Sequence, residues 1–432
     1  MIINSVKRII SGKEAQNAIW LIGGKVAQMI LSFVVTILTA RYLGPSNYGL
    51  IDYASTYMSF FTAISNLGLN FIIVKEFIDN PKDQGKAIGT TIGLRFLSST
   101  LSMLTIILIV SLVDRGETQT IVVAALCSLS LVFQIFDVFS YWFQAQYKSK
   151  IIAIVSFCGY LAVSLYKITL LLTGKSVEWF ASATAVDYLV ISVLYYICYK
   201  KHRGPKIQFS RDKASLLLRQ SYHFILSGAM VVVYSQIDKI MLKHMLDTSE
   251  VGYYSAASQI SMCWVFVLQA IVDAMYPTIM RLAKADKIAF NRKNKQLYAI
   301  VFYSASAMAL LFTIFGDVVV KVLYGEAYWS AVGSLRIIVW YIAFSYLGVA
   351  RNAWLVSEGK QKYLKYVYAG AVVINIFLNA LFIPIMKAEG AALASLITKL
   401  FTSIGLSLMI KELRPNALLM LDAIRLKDVF HK

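Results

Sequence analysis

Apolar residues fall into twelve long runs along the chain, each near the roughly 20 residues that an α-helix needs to cross a bilayer. They occupy approximately 17–40, 48–74, 87–112, 119–143, 151–173, 177–199, 216–242, 252–280, 297–321, 331–356, 364–386 and 389–411. Short polar segments separate them. Glycines and isolated charges interrupt several runs, and 177–199 carries Asp187 near its middle. The pattern predicts an all-α polytopic membrane protein with about twelve transmembrane helices.

Basic residues orient these helices. One alternating set of polar segments comprises the N-terminus, 75–86, 144–150, 200–219, 281–296, 357–365 and the C-terminus, and holds 29 of the 42 Lys and Arg. The other set holds six: Arg41, Arg115, Lys175, Lys243, Lys321 and Lys387. Positive loops stay in the cytoplasm. Both termini are therefore expected inside, as an even number of crossings requires. The outer segments are too short to form an extracytoplasmic domain. Residues 1–13 put Ile2, Ile3, Val6, Ile9 and Ile10 on one face among Lys7, Arg8 and Lys13. That pattern predicts a basic helix lying on the membrane rather than a cleaved leader.

The longest inner segment falls at the midpoint. The expected organisation is an N-terminal lobe over 1–200, a cytoplasmic linker over 201–215, a C-terminal lobe over 216–411 and an amphipathic cytoplasmic tail over 412–432. A shift of 203 residues superimposes the halves: Ile37 on Ile240, Leu43 on Leu246, Ser46 on Ser249, Gly49 on Gly252, Ala54 on Ala257 and Ser55 on Ser258. Both stretches lie at the turn between the first two runs of a half. This predicts two six-helix lobes related by a parallel pseudo-twofold repeat, a symmetry that transporters use to place a site between halves.

Composition agrees. The chain is 58% hydrophobic and 15% charged, with a mean hydropathy of +0.65, which excludes a soluble domain. The formal charge of +19 sits in basic loops, where it reads as a topology signal and not as a nucleic-acid footprint. Cys127, Cys158, Cys198 and Cys263 lie within apolar runs without metal-ligand spacing, and the four His are scattered. Neither disulfides nor a metal site are expected.

Seven basic residues lie inside the runs: Lys25, Arg95, Lys167, Lys239, Arg336, Arg351 and Lys399. The acids at comparable depth are Asp52, Asp137, Asp187, Asp238 and Asp273. A charge near the bilayer centre costs about 2.5–3.5 kcal/mol on the mildest scale. A positive excess therefore suggests an anionic guest. Arg336 and Asp52 are expected near enough to the outer surface to be solvated. Lys167 is expected to snorkel outward, and Asp187 and Lys399 to serve structure. Asp238 and Lys239 point about 100° apart on a helix and are expected to bridge helices without pairing with each other.

Several segments carry a family resemblance. Ala40-Arg-Tyr-Leu-Gly-Pro-Ser-Asn-Tyr-Gly-Leu-Ile-Asp-Tyr-Ala54 resembles the first inter-helix signature of the bacterial polysaccharide repeat-unit flippases (Wzx). Ser235-Gln-Ile-Asp-Lys-Ile-Met-Leu242 with Glu250-Val-Gly-Tyr-Tyr-Ser-Ala-Ala257 resembles the matching turn of the second half. Tyr324-Gly-Glu-Ala-Tyr328, Ser357-Glu-Gly-Lys-Gln-Lys-Tyr363 and Glu389-Gly-Ala-Ala-Leu-Ala-Ser-Leu-Ile397 follow in the family's order.

The resemblance implies the two-lobed fold of the multidrug/oligosaccharidyl-lipid/polysaccharide (MOP) exporters, as in the MATE transporters. It implies a transporter, not an enzyme, in the bacterial inner membrane. Undecaprenyl-diphosphate-linked oligosaccharide units (O-antigen, capsule or exopolysaccharide) would pass from the cytoplasmic to the outer leaflet through a cationic cavity by alternating access. A polysaccharide polymerase and a chain-length regulator are the implied partners. Lys25, Arg95 and Arg351 share one inner depth and are the first candidates to grip the diphosphate, since Arg engages phosphate bidentately and Lys as a point charge. Lys399, Asn66, Asn70, Gln134, Gln269 and Asn375 are secondary candidates for the head group. Asp137 and Asp273 are candidate carboxylates for coupling to a proton or sodium gradient. No cofactor is expected. The alternatives are a multidrug or organic-cation exporter of the same superfamily, and a membrane-embedded polymerase or glycosyltransferase. The first should place acids in the lumen, where the first run here has Lys25. The second needs catalytic carboxylates or metal ligands that the motifs lack.

Overall fold

A computed structural model of the chain describes residues 13–427, with side chains from Gln28 onward except at 71, 223–224, 226–231 and 234. The first twelve residues of the expected surface helix, the last five of the tail and the Lys25 side chain lie outside the described residues. Helices and short turns make up what is described, and no strand occurs among the described residues. Nine helical stretches among them are long and apolar enough to cross a membrane. Two of these, Gln28–Ser65 and Gln361–Met409, have 38 and 49 residues. At 1.5 Å per residue even the shorter would reach roughly 57 Å, against a hydrocarbon core of about 30 Å. Each breaks midway, at Gly44 (φ 72°, ψ 171°) and at Lys387 (φ 53°, ψ −131°). The order of elements is consistent with twelve crossings.

The chain forms two compact units, Met1–Tyr42 with Ala54–Val232, and Leu43–Tyr53 with Val233–Lys432. The first contains most of α1 (Lys13–Ser65), then α2 (Ile73–Asp79), α3 (Gln84–Val113), α4 (Thr118–Phe133), α5 (Val138–Ala145), α6 (Ser149–Leu172), α7 (Val177–Ala181) and α8 (Ala183–Lys201). It ends within α9 (Arg211–Met245). Helix α3 shows how these residues suit a bilayer. Thr91, Arg95, Ser99 and Ser102 are buried, while Leu97, Leu101, Leu104, Leu108 and Leu112 are exposed. In water this polarity would be inside out; in lipid the leucine stripe meets acyl chains and the polar stripe meets other helices. The core gathers Phe139, Trp142 and Phe143 against Tyr195 and Tyr199, with Phe139 and Tyr199 centroids 4.5 Å apart.

The segment after α8 is not a loose connector. Residues 204–210 run without helix along α3, where Gly85, Gly89 and Gly93 clear a groove at every fourth position. A Cβ at position 85 would stand 2.1 Å from the Lys206 carbonyl oxygen, and one at 89 would stand 2.3 Å from that of Gln208. The Gln208 N–H donates to the Gly85 carbonyl (3.1 Å) and the Ser210 N–H to Thr90 Oγ1 (3.0 Å). Lys213 then pairs with Glu76. Most of the expected linker thus packs into the first unit, which continues to Val232.

The second unit contains α10 (Thr248–Met262), α11 (Val265–Ala285), α12 (Lys287–Tyr324), α13 (Ala331–Ser357), α14 (Leu364–Leu400), α15 (Leu406–Met409) and α16 (Arg414–Ile424). The tail helix α16 is integral to it. Leu413, Met420 and Ala423 are buried in its core, Asn416 donates to the Tyr298 hydroxyl (2.7 Å), and Lys295 pairs with Asp422 (2.8 Å).

This unit also takes residues 43–53 from the middle of α1. They pack on the turn that corresponds to them at the 203-residue shift, and the contact is reciprocal. A Cβ at Gly49 would meet the Thr248 carbonyl oxygen at 1.9 Å, and one at Gly252 would meet that of Pro45 at 2.1 Å. The shift carries 49 to 252 and 45 to 248, so each turn makes the same contact with the other, as in an isologous interface. Asp52 and Ser255, also equivalent, hydrogen-bond to each other.

Candidate functional site

Charged and polar side chains inside the helices gather around three cavities. One, about 300 Å³ in the second unit, is lined by Asp52, Asp238, Lys239, Tyr254, Tyr341 and Ser395 among others. Its charges are matched to partners. Lys239 Nζ lies 2.6 Å from Asp52 Oδ2. Asp238, 3% exposed, accepts from the Tyr254 hydroxyl (2.7 Å), Ser395 Oγ (2.6 Å) and Asn379 Nδ2 (2.6 Å). Asn379 donates also to Asn375 Oδ1 (3.0 Å), and Asn375 to Ser395 (3.4 Å). A buried carboxylate is tolerated when several donors replace its water. Asp238 and Lys239 do point to different partners. Asp52, expected to be solvated, is 26% exposed and is also held by Lys239 and Ser255. Asn375, expected as a head-group candidate, is fully buried in this network and does not line the cavity, and Tyr254 and Ser395 were not among the expected site residues. The i, i+4 spacing of Asn375 and Asn379 was the available signal that one helix face seeks a polar partner.

A smaller cavity of about 90 Å³, also in the second unit, brings Arg351 and Lys399 together with Asn352, Tyr368, Thr402 and Ser403. No acid lines it. Arg351 is 4% exposed and donates from Nη1 to Ser407 Oγ (2.8 Å), while its Nε has no partner. The Lys399 ammonium lies 5.6 Å from the centre of the Tyr341 ring. A short π-helical turn, Phe401–Gly405, follows Lys399 and turns Thr402 and Ser403 to the same space.

In the first unit, Arg95 is 3% exposed and donates to Asn66 Oδ1 (2.5 Å). Asn66 and Asn70 flank the bend where α1 gives way to a 3₁₀ turn at Leu69–Phe71. Gln134 and Asp137 lie in a second 3₁₀ turn, Gln134–Asp137, between α4 and α5, and Gln134 Nε2 has no partner. Gln269 and Asp273 stand one turn apart on α11 and hydrogen-bond to each other (2.9 Å), with Asp273 exposed. The third cavity, about 230 Å³, is lined by Lys167 and Asp187 with Tyr160, Tyr188 and several hydroxyls. No group of three or more His, Cys, Asp or Glu placed to hold a metal occurs among the described residues.

Residues 15–283 match the family model described as "Polysaccharide biosynthesis protein". The chain is 22% identical over 413 residues to the "Putative O-antigen transporter" of Escherichia coli (strain K12), covering 94% of this chain and 97% of that one. Among solved structures it resembles the lipid II flippase MurJ in an inward closed conformation, with a TM-score of 0.70, 16% identity, and 96% and 94% of the two chains covered. It resembles equally, at a TM-score of 0.70 and 14% identity over 91% and 96%, an inward-facing multidrug resistance MATE transporter of the MOP superfamily. These structural likenesses fix the fold. With the family match over most of its length, the chain belongs to the polysaccharide biosynthesis protein family and is a multi-pass membrane protein built on the MOP transporter fold.

Proposed function

We propose that the protein is a lipid-linked oligosaccharide flippase. It carries undecaprenyl-diphosphate-linked repeat units from the cytoplasmic to the outer leaflet of a bacterial inner membrane by alternating access, with both termini in the cytoplasm. The observation that carries this reading is the cavity of Arg351 and Lys399. Two cations share a polar space that no acid lines, and the guanidinium keeps an unpartnered N–H. The positive charge that the two cations give this space is one that a diphosphate would balance. An exporter of organic cations would need a carboxylate where these two cations stand.

In the working cycle Arg351 and Lys399 hold the diphosphate in the second unit. Lys25, Arg95, Asn66, Asn70 and Gln134 of the first unit, and Gln269 and Asn375 of the second, are the further candidates for the head group. Asp137 and Asp273 are the carboxylates assigned to proton or sodium coupling. A polysaccharide polymerase and a chain-length regulator act on the released product.

The test replaces Arg351 and Lys399 together by Ala in cells whose only copy is the variant. Surface polysaccharide should fall at least about tenfold, the loss of one charge-assisted contact or more. The lipid-linked intermediate should accumulate while membrane insertion stays normal. Normal export would sink the assignment of these residues. Transport of a cationic dye, with no transport of labelled lipid-linked glycan in proteoliposomes, would sink the flippase reading itself.

A further inference from the structure

The cavity between α6 and α8 in the first unit plays no part in the diphosphate grip. It is built on faces of α6 and α8, with Ser32, Val35, Thr36 and Met58 of α1 completing the lining. Residues 160, 163, 164 and 167 of α6 recur at helical spacing, as do 183, 184, 187 and 188 of α8, and all eight line the space. Gly159 lets the helices close: a Cβ there would stand 2.4 Å from Ile191 Cγ1 and 3.4 Å from Asp187 Oδ1. The result is a pocket of about 230 Å³ carrying one ammonium, one carboxylate, two phenols and the hydroxyls of Ser32, Thr36, Ser164 and Thr184.

Its two charged groups are not joined to each other. No ion pair joins Lys167 and Asp187 among the described residues, and Asp187 Oδ1 is buried with no hydrogen-bond partner. Tyr160 is positioned by its bond to Ser32 Oγ (2.5 Å). In the second unit, by contrast, Asp238 has three donors and Lys239 has Asp52. A buried carboxylate oxygen without a donor is costly to keep. The groups that do line the open space, an ammonium, a carboxylate, two phenols and several hydroxyls, suit a ligand that brings hydroxyl donors and acceptors.

We propose that this cavity is a subsite for one neutral pyranose ring of the transported glycan, with Asp187 accepting from sugar hydroxyls, Lys167 donating to them, and Tyr160 and Tyr188 supplying ring faces and phenolic oxygens. The proposal rests on the flippase reading. One cation and one anion give the pocket no net charge, so a uronic acid or an amine would leave one of them opposed. The ammonium of Lys167 likewise repels a metal cation from the space beside Asp187. The volume falls below the ~300–1,000 Å³ of sites for drug-sized ligands, which suits one ring better than an oligosaccharide.

The test uses the full-length protein in lipid nanodiscs. The probes are undecaprenyl diphosphate, bare or bearing a single glucose, galactose or N-acetylglucosamine. The wild-type protein should bind at least one glycosylated lipid about tenfold more tightly than the bare one, the worth of one or two well-placed hydrogen bonds. Asp187→Asn and Tyr188→Phe should each erase most of that preference and leave affinity for bare undecaprenyl diphosphate unchanged, which also certifies that the variants are folded. A preference that survives in both variants overturns the subsite. So does an equal loss of affinity for bare and glycosylated lipid, which would make these residues structural. Equal, tight wild-type binding to all four lipids overturns the subsite while the flippase reading stands; no binding to any of them overturns both. Sodium-dependent thermal stabilisation that Asp187→Asn removes would assign the cavity to a cation instead.

Discussion

Asp238 concentrates the energetics of the second unit in one carboxylate. Three neutral donors converge on it from α10 and α14. Asp238→Ala strands all three in a buried space and should lower stability by about 3 kcal/mol or more. Asp238→Asn keeps one acceptor and should cost roughly half as much, because its amide nitrogen faces donors. Thermal unfolding of the purified variants in detergent checks the order; equal midpoints would show that the network contributes little. At this scale the sequence was half legible. Membrane depth marked Asp238, Arg95 and Arg351 as residues that need a partner. It could not say which, since Tyr254 and Ser395 lie in family-like segments without being marked as ligands, and they and Ser407 become partners only through the way their helices meet. The partners of Asp52, Lys239 and Ser255, were hidden for the same reason, although its partial exposure was expected.

Elements were easier to read than their edges. Apolar runs of crossing length gave the helices, since no other structure satisfies its own backbone in lipid. The breaks were less visible. Lys387 adopts a positive φ that a non-glycine residue rarely holds, and Glu250 steadies it: its carboxylate accepts from the Ala388 N–H (3.1 Å) and its other oxygen lies 3.6 Å from Lys387 Nζ. The glycine ladder on α3 also misleads at first sight. Such spacing suggests a helix partner, but an extended segment fills it. Gly89→Leu should expel that segment, because the clash is with a backbone carbonyl that no rotamer change avoids. Trypsin should then cut at Arg203, Lys206 or Arg211 several-fold faster than in the wild type, read on a gel. Unchanged cleavage would mean that the segment is held by Lys213 and Glu76 alone.

Across the whole molecule, the strongest signal was the asymmetry of basic loops. It leads to a direct expectation in a cysteine-free background. Cysteine at Arg115 or Lys175 should react with a membrane-impermeant maleimide added to intact cells whose outer barrier is opened, while cysteine at Lys82 or Lys201 should react only after lysis. The reverse pattern would invert the topology. All four positions are exposed, so a failure to label would not come from burial. The division into compact units was less legible, because it cuts through α1 and α9 where the sequence shows no linker at all. The self-matching turns carry a last consequence. At their shared contact the two copies differ where it matters: one supplies Asp52, the other Ser255. A molecule assembled from two first halves would press Asp52 against a second Asp52, and one made from two second halves would lose the anion that Lys239 needs. Divergence at this one pair of positions makes the two halves complementary at their shared contact.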